Sequence, residues 1–427
     1  MTIPKIPGLK ITRKLAEGGQ GEVFAVEKNG QSLVLKYYNE SSATREQKAI
    51  ISFLVQAGVP AAGCAEHFAW PLELVEVPGE KRFGYLMQLI DRAKFISLAD
   101  IESGAVEHPG FGVMAEACRQ LAECFRELGI AGYSYRDISP GNFMFCPKTG
   151  DVMICDNDNI MADKHAIGSI IGTPGYMAPE VVMGTARPST ITDQQSLAYL
   201  LFSMMCFGHP LHGQREFNIR VFDGIAAQEI YGKKPVFVFD PKNLSNSLPN
   251  EPGYRHIAKH WSMLPVQLRT LFSQAFTVGL HEPSQRVTAI QWKHAFTQML
   301  SQRHICECGA ENFWDPMQKK QVCWHRNCSI QFPNKLYICG KSVTAMLIKP
   351  GQMVTTMHLG EKSSATIVAE MENHPTDSGV CLLRNKTGDM WQATAGKQTA
   401  DVPPGKAIAL HPGIQLRTAK HELSVHP

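Results

Sequence analysis

The sequence predicts an α+β chain of several domains, because three residue patterns follow one another along its 427 residues. Residues 9–38, 68–77 and 82–89 show the alternation that is typical of strands, with a helical pattern at 44–56. From about residue 111 to 303 the spacing of helices dominates. A cysteine cluster at 304–332 comes next, and residues 335–427 return to short apolar runs separated by Pro-Gly turns. This last pattern predicts a small all-β domain.

Composition and charge exclude several classes of protein. The apolar share of 44% is sufficient for buried cores, and a net charge of +3 is too small to favour nucleic acid or an anionic membrane as the main partner. The longest apolar run, 196–207, is too short to span a bilayer. Apart from the cluster, the cysteines are scattered singly, as thiols in a reducing compartment are. We therefore expect a soluble, cytoplasmic protein without membrane contact.

A glycine-rich turn and a lysine form the first chemical signal. Gly18 and Gly21 lie between two strand-like segments, where backbone N–H groups unobstructed by Cβ atoms suit a phosphate. Lys36 then emerges from an apolar strand and needs an anionic partner. Glu46, early in the next predicted helix, is the preferred carboxylate, and Glu40 is the alternative. Taken alone, these signals also fit an ordinary hairpin turn and a solvated lysine.

Two carboxylates and one amide form the most informative pattern. Asp137 and Asn142 lie within the octapeptide YRDISPGN at 135–142, and Asp156 follows after a short interval. A carboxylate such as Asp137 can orient and deprotonate a hydroxyl group, whereas the oxygens of Asn142 and Asp156 suit Mg²⁺ held against phosphates. The spacing therefore predicts phosphate transfer from a metal-bound nucleotide.

The order of these motifs over residues 9–300 resembles that of the eukaryotic-type Ser/Thr protein kinases that occur in bacteria. The nonapeptide GTPGYMAPE at 172–180 resembles the end of the activation segment of that family. Asp193 matches the buried aspartate that supports the catalytic loop, and Arg286 matches the arginine that pairs with Glu180. The resemblance thus rests on several separate motifs in the family's order.

The resemblance implies a bilobal fold with an N-lobe over 9–90 and a C-lobe over 91–303. It also implies ATP and Mg²⁺ (or Mn²⁺) as cofactors and a protein substrate that receives the γ-phosphate on Ser or Thr hydroxyls. The resemblance implies Asp137 as the base and Asn142 and Asp156 as the magnesium ligands. It implies that Lys36, held by Glu46, contacts the α- and β-phosphates and that Gly18 and Gly21 cover the phosphates. It also implies that Val23, Val34 and the gatekeeper Met87 surround the adenine and that Gln88, Leu89 and Ile90 form the hinge.

Departures from the family pattern leave other functions open. Ser139 stands where a lysine is usual, and Asn157 and Asp158 replace the usual Phe-Gly after the metal aspartate. The altered Ser139 and Asn157 favour a pseudokinase, a scaffold that binds nucleotide and partner proteins without efficient transfer. The intact Lys36, Asp137, Asn142 and Asp156 oppose it. A kinase for small molecules is a third hypothesis, against which the segment 172–180 argues. Ser169 is the candidate phosphosite of the activation segment, and a segment ordered without phosphate is the alternative.

The cysteine cluster predicts a structural zinc ribbon over 304–332. Paired cysteines at two turns suit tetrahedral Zn²⁺, with His325 or His304 as an alternative ligand and disulfides as the rival interpretation. The proposed ligands are Cys306, Cys308, Cys323 and Cys328.

Residues 335–427 resemble a forkhead-associated-type β-sandwich, although an OB-type barrel fits the same strand pattern. A barrel would raise the prospect of nucleic-acid contact, which we do not favour because Trp391 is the sole tryptophan of this region. A protein-interaction module is the default. The order of kinase, zinc ribbon and β domain resembles bacterial kinases encoded beside a metal-dependent protein phosphatase and a von Willebrand factor A-type protein, in sets associated with tellurite and stress responses. This resemblance implies those two proteins as partners.

Overall fold

The computed structural model describes residues 6–60, 62–163, 172–316, 318, 320–339, 344–359 and 366–427. Its contacts divide the chain into two units. The first comprises Met1–Pro109, Gln120–Ile257 and Phe272–Ala289, and the second comprises Gly110–Arg119, Ala258–Leu271 and Ile290–Pro427. The domain boundaries expected from the sequence alone stay predictions.

The first unit contains a five-stranded antiparallel sheet in the order β1-β2-β3-β5-β4. Its second hairpin closes through Asn29 and Gly30, both at positive φ, as a two-residue turn between twisted strands requires. The strands of this unit are β1 Lys10–Gly18, β2 Gly21–Lys28, β3 Gln31–Tyr38, β4 Glu73–Glu76, β5 Phe83–Gln88, β6 Tyr133–Ser134, β7 Phe143–Phe145, β8 Val152–Ile154 and β9 Met161–Ala162.

The first helix lies between β3 and β4, and the other helices follow the sheet along the chain. The first helix begins after Thr44, whose side chain accepts a hydrogen bond from the Gln47 N–H at 3.1 Å. It packs on the sheet through Ile51, which shares a core with Tyr38 and Tyr85. The helices are α1 Arg45–Ala57, α2 Leu98–Glu102, α3 Phe111–Ile130, α4 Pro179–Val182, α5 Thr190–Cys206, α6 Gln214–Phe217, α7 Gly224–Gln228, α8 Arg255–Met263, α9 Val266–Phe276, α10 Val278–His281 and α11 Ala289–Ser301.

The second unit contains a short hairpin and two larger antiparallel sheets. One sheet has six strands in the order β13-β12-β21-β20-β17-β18, and the other has four in the order β14-β15-β16-β19. The strands are β10 Arg303–Ile305, β11 Glu311–Phe313, β12 Lys335–Cys339, β13 Thr344–Leu347, β14 Met353–Thr355, β15 Ile367–Asn373, β16 Cys381–Asn385, β17 Trp391–Ala395, β18 Gln398–Val402, β19 Ala407–Leu410, β20 Gln415–Arg417 and β21 Glu422–His426.

Both larger sheets contribute to one core. Leu336, Trp391 and Leu423 of the six-stranded sheet are buried together with Met371 and Leu383 of the four-stranded sheet. The predicted all-β character of 335–427 is therefore confirmed. The choice between a forkhead-associated-type sandwich and an OB-type barrel stays a prediction. Among the described residues, no helix combines the length and the apolar composition that crossing a membrane requires.

Candidate active site

A short hairpin brings Asn142 and Asp156 together. In the antiparallel pair of β7 and β8, Phe143 lies opposite Ile154, and the Cys155 N–H donates to the Asn142 carbonyl at 2.8 Å. The two predicted metal ligands therefore lie at the same end of the hairpin, although they are distant in sequence. Asp156 adopts a left-handed backbone conformation with φ of 53°, which turns the chain immediately after β8.

Asp137 is oriented by two neighbours. The Asn142 side-chain amide donates to the Asp137 carbonyl at 2.8 Å and to Asp137 Oδ2 at 3.0 Å. The hydroxyl of Thr173 donates to the other carboxylate oxygen, Asp137 Oδ1, at 2.6 Å. The carboxylate that the sequence assigns as a base thus already accepts a hydrogen bond from a hydroxyl group.

A buried aspartate of helix α5 fixes the backbone of this loop. Asp193 accepts hydrogen bonds from the N–H groups of Tyr135 at 2.6 Å and Arg136 at 3.1 Å. Burial raises the pKa of Asp193 to about 7, although these two N–H donors act in the opposite direction. Because Arg136 has a φ of 73°, the two donors compensate for an unfavourable backbone conformation directly before Asp137. The predicted support of the loop by Asp193 is confirmed.

Lys36 lies at the centre of the charged groups. It is buried in β3, and its ammonium group pairs with Asp156 and, at 2.8 Å, with Asp158 Oδ2. Burial lowers the pKa of Lys36, but the charges of Asp158 and Asp156 more than offset this and raise the pKa, so the side chain is positively charged. Gln20, at the tip of the glycine-rich turn, accepts a further hydrogen bond from Lys36 at 3.0 Å. The sequence did not single out Gln20.

The predicted pair between Lys36 and Glu46 is not formed among the described residues. Glu46 lies in the first turn of α1 and is exposed, and the carboxylates at Lys36 belong to Asp156 and Asp158. Glu40, the alternative, is also exposed and does not pair with this lysine in the described part of the chain. The segment after β8, rather than the helix, supplies the anionic partners.

The glycine-rich turn is present between β1 and β2, where Gly18 lies opposite Gly21. A Cβ atom on Gly21 would lie only 2.3 Å from the Tyr37 carbonyl oxygen, so close packing against β3 requires glycine there. A Cβ atom on Gly18 would meet open space. Coverage of phosphates by these glycines stays a prediction.

The residues predicted around the adenine share one region of the sheet. Val23 lies opposite Lys36, and Val34 lies opposite Met87 in the pair of β3 and β5. The predicted hinge residues Gln88, Leu89 and Ile90 mark the end of β5 and the residues directly after it. The sheet thus brings the predicted adenine-contacting residues beside the predicted phosphate-contacting lysine.

The free oxygens of the site suit a hard divalent cation. Asn142 uses its amide N–H groups on Asp137, so Asn142 Oδ1 accepts no hydrogen bond among the described residues. Asp156 contacts Lys36 through one oxygen and lies beside the carboxyl group of Asp158. Burial, followed by the charge of Asp158, raises the pKa of Asp156 to about 6. An all-oxygen donor set with excess negative charge fits Mg²⁺ or Mn²⁺.

The atypical positions of the site are all buried. Ser139 precedes the turn at Pro140–Asn142, and the Asn157 side chain donates to the Ile154 carbonyl at 2.9 Å.

The guanidinium of Arg136 donates to Ser134 and to the sulfur of Met161. The candidate phosphosite Ser169 lies outside the described residues.

An ion pair fixes the end of the segment 172–180. Arg286 donates to both carboxylate oxygens of Glu180 at 2.7 Å and also to the carbonyls of Gly279 and Ile191. The Arg286 side chain is 1% exposed and that of Glu180 is 20% exposed. The pairing predicted for Arg286 and Glu180 is confirmed.

We expect Arg286→Met to destabilise the first unit by about 3 kcal/mol, because it leaves the Glu180 carboxylate without its buried bidentate partner. Urea unfolding of the two proteins measures this difference. The double variant with Glu180→Gln should lose less than the sum of the two single losses. Equal unfolding midpoints for wild type and Arg286→Met would contradict the assignment.

His209 is buried against the segment 172–180, and His212 is half-buried beside Tyr231. His209 Nε2 is 2.7 Å from the Gly175 carbonyl oxygen, and His212 Nε2 is 2.6 Å from the Tyr231 hydroxyl. Burial lowers the pKa of His212 from 6.5 to about 4, and burial also lowers the pKa of His209 well below its usual value. Both imidazoles are therefore neutral in the folded protein at pH 7.

This burial predicts a loss of stability in acid. Below pH 6.5 the unfolded chain binds a proton at His212 and the folded chain does not, so stability falls as the pH decreases from 6.5 towards 4. Between pH 6.5 and 5 this residue contributes about 1–2 kcal/mol to the loss. Urea unfolding of His212→Gln should show a shallower pH dependence than wild type, whereas the exposed control His281→Gln should not. Parallel profiles for wild type and His212→Gln would refute the assignment.

In the second unit, four cysteine sulfurs form a compact group. Cys306 and Cys308 lie in the turn between β10 and β11, where Gly309 adopts a φ of 85°. Cys323 and Cys328 close a second turn through an N–H···O hydrogen bond of 2.8 Å. All four sulfurs lie within 4.8 Å of one another. The cysteines that the sequence selected are thus brought together.

The distances between the sulfur atoms distinguish a metal site from disulfide bonds in this cysteine cluster. The sulfurs of Cys306 and Cys328 are 3.2 Å apart and those of Cys308 and Cys323 are 3.5 Å apart, far longer than a disulfide bond of about 2.0 Å. Within the described residues, the candidate metal-binding group contains neither His304 nor His325. Four thiols at such distances are able to hold a metal ion.

Comparison with known proteins agrees with the site geometry. The protein kinase domain family matches residues 9–295. Protein kinase YegI of Escherichia coli (strain K12) is 24% identical over 308 residues, covering 69% of this chain and 45% of the relative. Calcium/calmodulin-dependent protein kinase type IV of Homo sapiens is 27% identical over 105 residues, covering 24% of this chain and 22% of the relative.

A third relative, calcium/calmodulin-dependent protein kinase type 1 of Caenorhabditis briggsae, is 24% identical over 152 residues, which cover 35% of this chain and 41% of the relative. The chain spans about half or less of the length of the curated relatives it matches. The family match nevertheless covers more than half of this chain and includes every residue of the site around Asp137. The chain therefore belongs to the protein kinase family.

Proposed function

We propose that the protein is an ATP- and Mg²⁺-dependent Ser/Thr protein kinase with Asp137 as the base. The observation that carries this proposal is the hydrogen bond of 2.6 Å from the Thr173 hydroxyl to Asp137 Oδ1. A short hydroxyl side chain on the segment 172–180 therefore reaches the carboxylate. A Ser or Thr of a protein substrate takes the position of Thr173 when it binds.

The proposed nucleotide site uses the charged groups already described. Lys36 contacts the α- and β-phosphates, and Asn142 and Asp156 hold Mg²⁺ or Mn²⁺. The bound metal nucleotide supplies the phosphoryl group and neutralises the charge that develops on it. Val23, Val34 and Met87 line the adenine side of this site in the proposal.

In the transfer step, Asp137 orients the substrate hydroxyl and accepts its proton. The hydroxyl oxygen forms a bond to the γ-phosphorus, and the bond from that phosphorus to the bridging oxygen breaks, with its electron pair leaving on ADP. Asn142 keeps the Asp137 carboxylate in its orientation through the hydrogen bond of 3.0 Å. Asp193 keeps the loop backbone in position.

A nucleotide-binding scaffold is the second candidate function. It is favoured by Ser139, which supplies no positive charge where the family commonly has a lysine, and by the two carboxylates that hold Lys36. Such a pseudokinase would bind ATP and partner proteins without efficient transfer. The oriented Asp137 favours the active kinase over this scaffold.

Incubation with γ-labelled ATP and Mg²⁺, followed by identification of the phosphorylated residue, tests the substrate class. We expect phosphoserine or phosphothreonine in the protein itself or in candidate protein substrates. Phosphotyrosine, or label found only in small molecules, would contradict the proposed specificity.

We also propose that the cysteine cluster holds one structural zinc ion. Tetrahedral Zn²⁺ with Zn–S bonds of 2.3 Å places its sulfurs about 3.8 Å apart, which lies within the range of the sulfur distances here. Every cysteine with a described side chain is a free thiol, which supports a cytoplasmic location. A protein phosphatase and a von Willebrand factor A-type protein as partners, and a role in tellurite or stress responses, are supported by the resemblance of domain order alone.

A further inference from the structure

Asp158 is the most deeply buried carboxylate near Lys36. Its side chain is 0% exposed, whereas that of Asp156 is 33% exposed. Asp158 Oδ2 lies 2.8 Å from Lys36 Nζ and also accepts a hydrogen bond from the Tyr38 hydroxyl. A carboxylate in such a position is stabilised only by a nearby cation and by hydrogen bonds. Lys36 and Tyr38 supply both to Oδ2, whereas Oδ1 is buried without a hydrogen-bond partner among the described residues.

Helix α1 contacts this aspartate through a neutral residue. The Gln47 side-chain amide donates to the Asp158 carbonyl at 2.9 Å and to the Tyr38 hydroxyl at 3.1 Å. Glu46, the adjacent residue in the helix, is exposed. The helix therefore supports the backbone and the hydroxyl donor of Asp158, and its own carboxylate does not reach Lys36.

The two carboxylates at Lys36 differ in what else they are able to do. Asp156 is partly exposed and lies at the same end of the β7–β8 hairpin as Asn142, so it is able to turn to a metal ion. Asp158 has no exposed surface, and its Oδ2 is held by both Lys36 and Tyr38. If Asp156 turned to a metal ion, Asp158 would remain as the anion beside Lys36.

Building on the proposed nucleotide site, we propose that Asp158 is the positioning residue for Lys36, in the place that the family resemblance assigns to a helix glutamate. The carboxylate of Asp158 then balances the positive charge of Lys36 and keeps its ammonium group directed at the phosphates, and no charged residue of α1 is needed. The metal ligand Asp156 and the lysine-positioning Asp158 lie two residues apart, so one short segment places both.

Equilibrium binding of Mg²⁺ with a non-hydrolysable ATP analogue tests this assignment without requiring transfer. We expect Asp158→Asn and Lys36→Met each to weaken binding by about tenfold or more, because a charge-assisted hydrogen bond is lost. The double variant that carries both substitutions should have about the same affinity as the single variant that binds less tightly, since Asp158 acts through Lys36. Asp401→Asn, the same replacement at an exposed strand position, is the matched control.

The outcomes are separable. If the affinity losses of the two single variants multiply in the double variant, Asp158 acts independently of Lys36 and the proposal is overturned. An unchanged affinity in Asp158→Asn, or an equal loss of affinity in Glu46→Gln, would also overturn it. So would a wild-type protein that does not bind the nucleotide. If Asp158→Asn fails to fold, Tyr38→Phe removes one donor to the carboxylate and should weaken binding severalfold, again without effect in the Lys36→Met background. Wild-type binding without phosphate transfer would refute the proposed kinase activity and leave this assignment testable.

Discussion

Asp137→Asn should reduce phosphate transfer by about 10²–10⁴-fold, the usual contribution of a general base. The amide is nearly isosteric: its oxygen is able to accept from Asn142, and its N–H is able to donate to the Thr173 hydroxyl, but it cannot accept the proton of a substrate hydroxyl. Asp137 contacts Asn142 and Thr173 and makes no ion pair with Lys36 among the described residues. Affinity for Mg²⁺ and ATP should therefore change little.

Initial rates of γ-phosphate transfer, measured together with equilibrium affinity for ATP, check this prediction. Asp401→Asn is the control for the chemical change, because Asp401 is exposed in the all-β domain. Transfer at the wild-type rate by Asp137→Asn would eliminate Asp137 as the base. A parallel loss of ATP affinity would show that the substitution disturbs the nucleotide site instead.

Removal of zinc should unfold or strongly loosen the hairpin of the second unit. The cysteine cluster brings the sulfurs of two turns together, and a structural zinc ion bound there would contribute directly to folding. We expect wild type to contain about one zinc ion per chain, as tetrahedral four-cysteine sites do. Cys306→Ser should contain much less zinc, and a chelator should lower the melting temperature of wild type.

Metal analysis and thermal unfolding with and without the chelator provide the measurements. Cys381→Ser is the matched control, because Cys381 lies in the core of the all-β domain and outside the cysteine cluster. This control should lose stability but keep its zinc. A wild-type protein that is free of metal and insensitive to chelation would contradict the zinc proposal.

The spacing of chemically distinct residues predicted much of the site. Asp137, Asn142 and Asp156 are named by the sequence, and the β7–β8 hairpin brings the latter two side by side. Lys36 is predicted because a lysine at an apolar strand requires an anion. The structure brings these residues together because local elements, a hairpin and a strand, determine where the side chains lie, and their roles stay predictions.

The partner of Lys36 was not predictable in this way. Glu46 is near in sequence and lies on a helix, but the rotation of α1 leaves it exposed and turns Gln47 towards Asp158. Tertiary burial determines which face of a helix turns inward. The sequence did suggest that Asp158 replaces the usual glycine, but its contact with Lys36 depends on the turn at Asp156, which sequence spacing does not reveal.

Glycines show a similar limit of sequence analysis. Gly21 is expected for its approach to phosphate, yet the structure requires it for packing against the backbone of Tyr37 and Tyr38. The same residue type serves either purpose, and only the neighbouring strand distinguishes them. In the second unit, the cysteine cluster was predictable, because metal-binding residues occur in pairs at turns.

The most direct measurement compares ATP binding and phosphate transfer in the same preparation of wild-type protein with Mg²⁺. The proposed kinase binds ATP and transfers its γ-phosphate to Ser or Thr in a protein, and Asp137→Asn retains binding without transfer. ATP binding with no labelled Ser or Thr, in the protein itself or in any candidate substrate, would contradict the proposed activity and identify a nucleotide-binding scaffold.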